Sequence, residues 1–367
     1  MNEFDILYMN CHIPFPKRVA LEVNRAAFRT EMLTHPINRL FWECTLRCNL
    51  NCRHCGSDCR KTACLPDPEL QDLLSVLDSA PENIDRSRIM VITTGGEPLV
   101  RPDIVQVGRE IRKRGYIWGM VSNGMLLTKE KFDELLQAGL ECFSMSFDGF
   151  EEEHNWMRGS DVSFKRADAA IDWLVENNDV LAWDLITCVN RRNLDSLERF
   201  KEYLISRGVK RWRIFTVAPI GRAASDSELM LSDREFIGLM EFIAKTRRED
   251  RIGLEYSCEG FLGPYEGEVR NHYFNCTAGV NVASVLSDGS ISGCLSIRSD
   301  FHQGNIHTDN FWDVWENGFS IYRNRKWMKK DQCGKCGVWR YCHGGALHLR
   351  GEDGKMLSCN YLKIKNG

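Results

Sequence analysis

Apolar residues recur along residues 39–250 in two alternating patterns. Short apolar runs of strand length alternate with segments in which apolar positions repeat every three or four residues, as on one face of a helix. The predicted strands are 39–45, 88–94, 116–122, 141–147, 180–189 and 210–217, and the predicted helices are 103–113, 129–137, 164–176, 194–206 and 233–246. Strands that alternate with helices indicate an α/β fold built on a parallel sheet with right-handed crossovers.

The patterns change on both sides of this region. Residues 18–33 have the spacing of an amphipathic helix, which Pro36 ends; we expect it to cap the bottom of the main domain, with a role in substrate binding as the alternative. Beyond about residue 250 the helical period is lost, and residues 284–286 and 290–294 predict a β-hairpin around Asp288-Gly289. The predicted domains are a helical extension at 1–38, a main domain at 39–250 and a smaller cysteine-rich domain at 251–367.

Composition and charge narrow the function classes. The 367 residues include 48 Lys and Arg against 51 Asp and Glu, so a formal net charge of −3 gives no electrostatic case for nucleic acid or an anionic membrane. No apolar run approaches the roughly 18 residues of a membrane span, and the first residues lack a signal-peptide pattern. Sixteen cysteines cluster at short spacings, as metal ligands do. We therefore predict a cytoplasmic protein whose cysteines bind metal.

The first cysteine group follows the first predicted strand. Cys48, Cys52 and Cys55 have the spacing Cys-x3-Cys-x2-Cys in a polar loop, which can direct three thiolates at one metal centre. In a [4Fe–4S] cluster three cysteines leave one iron open, and an open iron can bind and reduce a ligand. A zinc loop or a structural cysteine loop is the alternative. Three neighbouring cysteines lie outside the pattern: Cys44 is predicted to face the core, and Cys59 and Cys64 are predicted to be free thiols, with metal binding as the alternative.

Candidate ligand-binding turns follow the next three strands. They are Gly95-Gly96-Glu97-Pro98, Ser122-Asn123-Gly124 and Ser146-Phe147-Asp148-Gly149, with Arg158 ten residues beyond Asp148. Glycines allow a backbone to approach a ligand closely, a carboxylate can accept hydrogen bonds from an ammonium group, and the fork of an arginine suits a carboxylate. Taken singly, each motif also fits an ordinary turn or a surface ion pair. Their order at successive strand ends is more specific than any one of them.

The cysteine loop and these strand ends together resemble the radical S-adenosylmethionine (SAM) superfamily. The resemblance implies a partial (β/α)6 TIM-like barrel and a [4Fe–4S] cluster held by Cys48, Cys52 and Cys55. The open iron would bind SAM, and an electron from the cluster would cleave it to methionine and a 5′-deoxyadenosyl radical. The resemblance also implies the residues that contact SAM, although no catalytic acid or base: Gly95, Gly96, Glu97, Pro98, Ser122, Asn123, Ser146, Asp148 and Arg158.

A second group of cysteines occupies the C-terminal region. Its spacing is Cys276-x12-Gly289-x4-Cys294, then Cys333-x2-Cys336-x5-Cys342, and finally Cys359. This spacing is typical of metal ligands, and zinc is the alternative to iron. The region resembles the SPASM extension of radical SAM enzymes and, less closely, its shorter Twitch relative. The resemblance implies one auxiliary [4Fe–4S] cluster on Cys333, Cys336, Cys342 and Cys359.

The chain departs from the SPASM pattern at one position. Ala346 stands where that pattern has a further cysteine, so Cys276 and Cys294 match only two ligands of a second auxiliary cluster. The candidates for its missing ligands are Cys258, His272, His343 and His348. The chain therefore has one predicted auxiliary cluster and room for a second, unless Cys276 and Cys294 are a pair that only packs.

The predicted function is that of a radical SAM enzyme that removes a hydrogen atom from a peptide or protein substrate. A low-potential donor such as ferredoxin or flavodoxin would supply electrons, and the auxiliary cluster would transfer them. The chain also resembles a radical SAM clade associated with small lipoproteins. One alternative is the same radical chemistry on a small molecule, a haem-type tetrapyrrole or an alcohol. Another is a non-catalytic iron–sulfur or zinc scaffold, which predicts no SAM cleavage.

Overall fold

One mixed β-sheet runs through the protein. The computed structural model describes residues 13–57, 59–257, 259–297, 301–351 and 353–367. Within these residues the sheet has ten strands in the order β10-β9-β8-β1-β2-β3-β4-β5-β6-β7. The strands are β1 (Arg39–Thr45), β2 (Met90–Gly95), β3 (Ile117–Ser122), β4 (Leu140–Ser146), β5 (Ala182–Val189), β6 (Arg211–Thr216), β7 (Gly253–Tyr256), β8 (Val282–Val285), β9 (Ser290–Ser292) and β10 (Gly304–Asn305).

Helices cover one face of this sheet and fill the C-terminal region. The helices are α1 (Phe15–Thr34), α2 (Leu70–Asp78), α3 (Ile104–Lys113), α4 (Lys129–Gln137), α5 (Glu151–Arg158), α6 (Ser163–Glu176), α7 (Arg191–Leu194), α8 (Leu197–Ser206), α9 (Asp233–Glu249), α10 (Phe311–Asn317), α11 (Ser320–Arg323), α12 (Asp331–Gly334), α13 (Trp339–Cys342) and α14 (Asn360–Asn366). Among the described helices, none combines the length and apolar character needed to cross a membrane.

The six predicted strands and the helices between them are confirmed. Strands β1 to β6 pair in parallel in chain order, as in the pairs Leu40↔Val91 and Leu185↔Trp212. Alternate side chains such as Trp118 and Trp212 are buried in the core between the sheet and its helices. The intervening residues face the other way, into the interior of the partial barrel. Helices α2 and α5 were not predicted, since both are short and α5 is mostly polar.

Strands that follow residue 250 extend the sheet at both of its edges. The predicted hairpin is confirmed as the antiparallel pair β8–β9. Strand β8 also pairs in parallel with β1, from Arg39↔Val282 to Trp42↔Val285, while β7 extends the sheet beyond β6. Strand β1, which leads into the first cysteine loop, therefore pairs directly with a strand that comes late in the chain.

Helix α1 packs against the C-terminal region. Its Lys17 Nζ lies 3.0 Å from Glu268 Oε1, and Arg340 Nη2 lies 2.6 Å from Glu22 Oε1. The ring of Phe28, which is buried, lies 6.2 Å from the ring of His343. These contacts connect the beginning of the described chain to the turn that carries Cys342.

Candidate metal and cofactor site

The loop after β1 gathers the first three predicted ligands. Cys48 and Cys52 are buried together with Leu50 and Cys59, and Cys55 packs against them. The Cys48 backbone N–H donates to the Arg60 carbonyl at 2.7 Å, which closes the loop. The Leu50 N–H donates to Cys48 Sγ at 3.5 Å. The loop therefore places three sulfur atoms in one buried group.

Burial and hydrogen bonding shift the pKa values of these thiols in opposite directions. The pKa of Cys48 is raised to about 12, chiefly by burial, and the thiols of Cys52 and Cys55 contribute in the same direction. The pKa of Cys55 is lowered to about 5, mainly by a hydrogen bond from the Cys59 thiol. Cys59, predicted to be a free thiol, is thus a buried neighbour of a predicted ligand. Metal ions relieve such crowding because they stabilise thiolates directly.

The two glycines after β2 hold the start of this loop. The Gly96 N–H donates to the Thr45 carbonyl at 2.7 Å, and the Glu97 N–H donates to the Arg47 carbonyl at 3.0 Å. A Cβ on Gly95 would lie 2.2 Å from the Thr45 oxygen, and one on Gly96 would lie 2.1 Å from the Arg47 oxygen. Only glycine allows two backbones to approach so closely. This turn therefore fixes the path of the chain just before Cys48.

The Glu97 carboxylate braces the turn after β3. It is buried and accepts hydrogen bonds from Ser122 Oγ at 2.7 Å, the Asn123 N–H at 2.7 Å and the Leu99 N–H at 3.1 Å. Burial raises its pKa to about 6 despite these bonds. Asn123 Nδ2 in turn lies 3.8 Å from Cys48 Sγ. Both carboxylate oxygens are engaged within the chain, and the contact of Glu97 and Pro98 with SAM stays a prediction.

Asp148 and Arg158 form a buried ion pair beside Cys52. Arg158 Nε lies 2.6 Å from Asp148 Oδ2, and its Nη1 lies 3.8 Å from Cys52 Sγ. Burial raises the pKa of the Asp148 carboxyl, but the Arg158 guanidinium, together with smaller contributions from His54, His154 and the Cys188 N–H, brings that pKa below its usual value. Asp148 Oδ1 also accepts the Cys188 N–H at 2.9 Å. The pair therefore fixes a positive charge next to the predicted ligand Cys52.

Ser146 differs from the other predicted site residues. It is the last residue of β4 and is half-buried. Among the described residues its hydroxyl forms no side-chain hydrogen bond, whereas Ser122, Asn123 and Asp148 are all engaged within the chain. Ser146 therefore keeps its hydrogen-bonding capacity for a ligand.

The loop after β6 supplies residues that the sequence reasoning missed. Arg222 Nε donates to the Cys52 carbonyl at 2.7 Å and Nη1 to the Cys59 carbonyl at 3.1 Å, while its backbone N–H donates to the Cys55 carbonyl at 3.1 Å. Gly221 has φ +56°, and a Cβ there would lie 2.4 Å from the Cys55 oxygen. The available signal was the Gly-Arg pair just beyond the last predicted strand. Gly221 and Arg222 therefore hold the cysteine loop in place from the loop after β6.

The four predicted ligands of the auxiliary cluster also come together. Burial raises the pKa of Cys342, and so do the thiols of the other three members of the set, Cys359, Cys336 and Cys333. Arg350 Nη2 lies 3.4 Å from Cys333 Sγ. Cys342 and Cys359 also line one small cavity together with Gly344, Gly345 and Ala346. The four cysteines that the sequence predicts as ligands are therefore close enough to influence one another.

The structure gives less support to a second auxiliary cluster. Cys276 and Cys294 lie beside the same buried Tyr322, whose pKa is raised to about 12 by burial and, to a lesser degree, by both thiols. Of the candidate partners, Cys258 lies outside the described residues, and His343 Nε2 lies 2.9 Å from the Arg340 carbonyl. Across the described chain, no group of three or more His, Cys, Asp or Glu side chains is arranged to hold a single metal ion.

Comparison with known proteins identifies the class to which this fold and site belong. The profile of the radical SAM superfamily matches residues 42–204, and that of an iron–sulfur cluster-binding domain, SPASM, matches residues 276–337. The chain therefore belongs to the radical SAM superfamily and carries a C-terminal SPASM domain. It is an enzyme, and its cofactors are [4Fe–4S] clusters and SAM.

Among curated relatives, the AdoMet-dependent heme synthase of Methanosarcina barkeri is 29% identical over 333 residues, which cover 84% of this chain and 90% of the relative. The mycofactocin maturase MftC of Mycobacterium ulcerans is 27% identical over 314 residues, covering 84% and 82%. The structure of anSMEcpe with bound AdoMet has a TM-score of 0.69 at 19% identity and covers 90% of this chain and 95% of that one. Streptococcus suis SuiB bound to SAM has a TM-score of 0.67 at 16% identity, covering 87% and 76%. These two solved structures show that the fold is shared.

Proposed function

We propose that this enzyme holds its SAM-cleaving [4Fe–4S] cluster on Cys48, Cys52 and Cys55 and that it removes a hydrogen atom from a peptide or protein substrate. When bound, the cluster supplies the electron that cleaves SAM to methionine and a 5′-deoxyadenosyl radical. The observation that carries the proposal is the convergence of four separate strand ends on the one buried loop that bears these cysteines.

The residues around the loop have distinct roles in this proposal. Gly95, Gly96 and Gly221 hold the loop where a side chain would collide with it. Arg158 and Asn123 direct N–H groups at the ligand sulfurs and so stabilise their negative charge. Ser146 has a free hydroxyl at the end of β4 and binds SAM. Glu97 contacts SAM in this proposal, and its carboxylate also holds the turn that presents Asn123.

The substrate enters the interior of the barrel, below SAM. Ser144 precedes Ser146 by two residues and therefore faces the same interior, about 7 Å deeper. Its hydroxyl donates to Asp184 Oδ1 at 2.6 Å, and Arg213 Nη2 donates to Ser144 Oγ at 2.9 Å. All three side chains are half-buried. This polar group can pair with charged or amide groups of a substrate.

A peptide or protein substrate is supported by the relative MftC, a maturase similar along most of this chain. A small molecule is the second candidate, because several curated relatives at 24–29% identity are AdoMet-dependent heme synthases. A haem-type tetrapyrrole carries carboxylate side chains, which Arg213 could bind in exchange for Asp184, whose Oδ2 now accepts from Arg213 Nε at 2.8 Å. We expect the reaction in a reducing cytoplasm, where thiols stay available as ligands.

Isotope transfer distinguishes the two substrates. The holoenzyme is incubated anaerobically with SAM and dithionite, and with either deuterated candidate peptides or deuterated haem precursors. Deuterium in 5′-deoxyadenosine identifies the substrate whose hydrogen is removed. The variant Arg213→Ala should still cleave SAM but should transfer less deuterium from the true substrate, whereas the exposed Arg166→Ala should behave as wild type. Transfer from neither class would contradict both substrate proposals.

A further inference from the structure

Basic residues are concentrated along the chain around Cys333 and Cys336. Residues 323–340 contain seven Lys and Arg but only one acidic residue, Asp331, in a chain whose formal net charge is −3. Four lysines of this segment are exposed, and we call them the lysine patch: Lys326, Lys329, Lys330 and Lys335. The lysine patch is positively charged, whereas the chain as a whole has a formal net charge of −3.

The charge of the lysine patch is not neutralised within the described residues. None of the four ammonium groups has a carboxylate oxygen of that part of the chain within 4.0 Å. Neighbouring cations are paired, because Arg340 Nη2 lies 2.6 Å from Glu22 Oε1 and Lys355 Nζ lies 3.0 Å from Asp353 Oδ2. The patch therefore presents an uncompensated positive field to solvent.

Two exposed glycines follow predicted ligands, since Gly334 comes directly after Cys333 and Gly337 directly after Cys336. Gly334 and Gly337 do not have the positive φ that would require glycine. A Cβ on Gly337 would meet nothing within 4 Å, and one on Gly334 would meet only the Lys329 carbonyl oxygen at 3.6 Å, an ordinary contact. Neither backbone conformation nor packing accounts for these glycines. Their effect is to leave bare backbone directly after Cys333 and directly after Cys336, where another molecule can approach closely.

We propose that the lysine patch and these glycines form the docking surface for a small acidic one-electron carrier protein. Cys333 and Cys336 would hold the auxiliary cluster, and the reduced carrier would give that cluster one electron, so the carrier would be oxidised and the cluster reduced without any bond or proton moving. The inference rests on the proposed function, specifically on Cys333 and Cys336 as cluster ligands. Lys330 is three residues from Cys333, so along the chain the patch lies at most about 11 Å from a ligand.

Charge complementarity favours this occupant. Opposite charges raise the rate of encounter between two proteins by about 10- to 1,000-fold, and salt removes the effect. A carrier must also bring its redox centre close to the cluster, which the bare glycine backbone permits. A nucleic acid would use the positive charge but has no need of a close approach to Cys336.

The test measures binding and electron transfer by the holoenzyme under anaerobic conditions. The probes are an acidic flavodoxin and an acidic [2Fe–2S] ferredoxin. The patch variant is Lys326→Glu/Lys329→Glu/Lys330→Glu/Lys335→Glu. The control variant, Lys113→Glu/Lys165→Glu/Arg166→Glu/Lys210→Glu, changes the net charge equally at exposed positions elsewhere. A third variant, Gly337→Gln, adds a side chain beside Cys336 without changing charge.

We expect wild type to bind the oxidised carriers in low salt and lose them in high salt. The patch variant should lose about tenfold or more in affinity and in the rate of cluster reduction by reduced flavodoxin, while the control variant stays within about twofold of wild type. Gly337→Gln should slow reduction more than it weakens binding. All variants should keep wild-type iron content and reduction by dithionite.

Other outcomes separate this inference from the proposed function. Equal binding by the patch and control variants, or tighter binding of a DNA duplex than of either carrier, would overturn the docking inference. If dithionite still drives SAM cleavage in that case, the proposed function stands. Absence of SAM cleavage with dithionite would count against the proposed function instead.

Discussion

Replacing Gly221 by Ala should disturb the loop that carries Cys48, Cys52 and Cys55, which Gly221 contacts from the loop after β6. Gly221 has φ +56°, which strains any residue that carries a Cβ. The added Cβ would lie 2.4 Å from the Cys55 carbonyl oxygen and 2.6 Å from that of Gly56. Both obstacles are backbone atoms, so neither can rotate away. The loop must therefore move at the residue that we propose as a cluster ligand.

The expected loss of stability has two contributions, the strained backbone conformation of alanine at this position and the close contact of its Cβ. The left-handed conformation costs alanine about 1 kcal/mol relative to glycine. Relief of the contact needs a backbone shift of more than half an ångström, and forced shifts of this kind cost about 1–3 kcal/mol. We therefore expect a loss of about 2–4 kcal/mol in stability. The part of the structure that is displaced is the loop that carries Cys52 and Cys55.

The assay combines iron and sulfide analysis with EPR of the reduced protein, with and without SAM. Gly221→Ala should lose about four irons per chain and the SAM-dependent change in the EPR spectrum, and should keep the auxiliary cluster. The matched control is Gly238→Ala in helix α9, where a Cβ meets nothing within 4 Å and alanine favours the helix by about 0.5–1 kcal/mol. Wild-type iron content and an unchanged SAM-dependent spectrum in Gly221→Ala would refute the clamping role.

Three further substitutions test the side chains around this loop. Arg158→Gln leaves Asp148 buried without its partner and should cost about 3–5 kcal/mol, seen as a lower unfolding temperature that Asp148→Asn partly restores. Burial lowers the pKa of His154 to about 3 from its usual 6.5. The contribution of neutral His154 to stability is therefore complete above pH 6.5 and declines as the pH falls towards 3. His154→Gln should reduce the slope of the unfolding free energy against pH in this range by up to about 1.4 kcal/mol per pH unit. Ser146→Ala should leave the unfolding temperature unchanged but raise the KM for SAM about three- to tenfold.

Each of these results has a contrary outcome. No recovery in Asp148→Asn/Arg158→Gln would mean that the two charges act independently. An unchanged slope of stability against pH in His154→Gln would place the acid-sensitive group elsewhere. A wild-type KM in Ser146→Ala would remove this hydroxyl from the SAM site.

Local patterns account for what the sequence predicted well. The six parallel strands are short apolar runs bounded by turns, and Cys48, Cys52 and Cys55 lie within eight residues of each other. Parallel topology then brings the strand ends together, so the turns at residues 95–98, 122–124 and 146–149 could be assigned to one site before any contact was known.

Contacts between distant residues account for what was missed. The pairing of β8 with β1 joins residues more than 240 positions apart, and no local pattern specifies it. The hydrogen bonds of Glu97 were missed because its partners Ser122 and Asn123 lie at the end of a different strand, while its contact with SAM stays a prediction. Arg222 resembles any loop arginine in sequence, and its role depends on carbonyl groups some 170 residues earlier in the chain.

The most direct test of the account is anaerobic formation of 5′-deoxyadenosine from SAM with dithionite, measured in wild type and in Cys48→Ala/Cys52→Ala/Cys55→Ala. We predict formation in wild type, none in the triple variant, and about four irons retained by the variant in its auxiliary cluster. Equal formation in both proteins would contradict the assignment of these cysteines. Well-loaded wild type that forms no 5′-deoxyadenosine, even with candidate substrates, would contradict the proposed reaction.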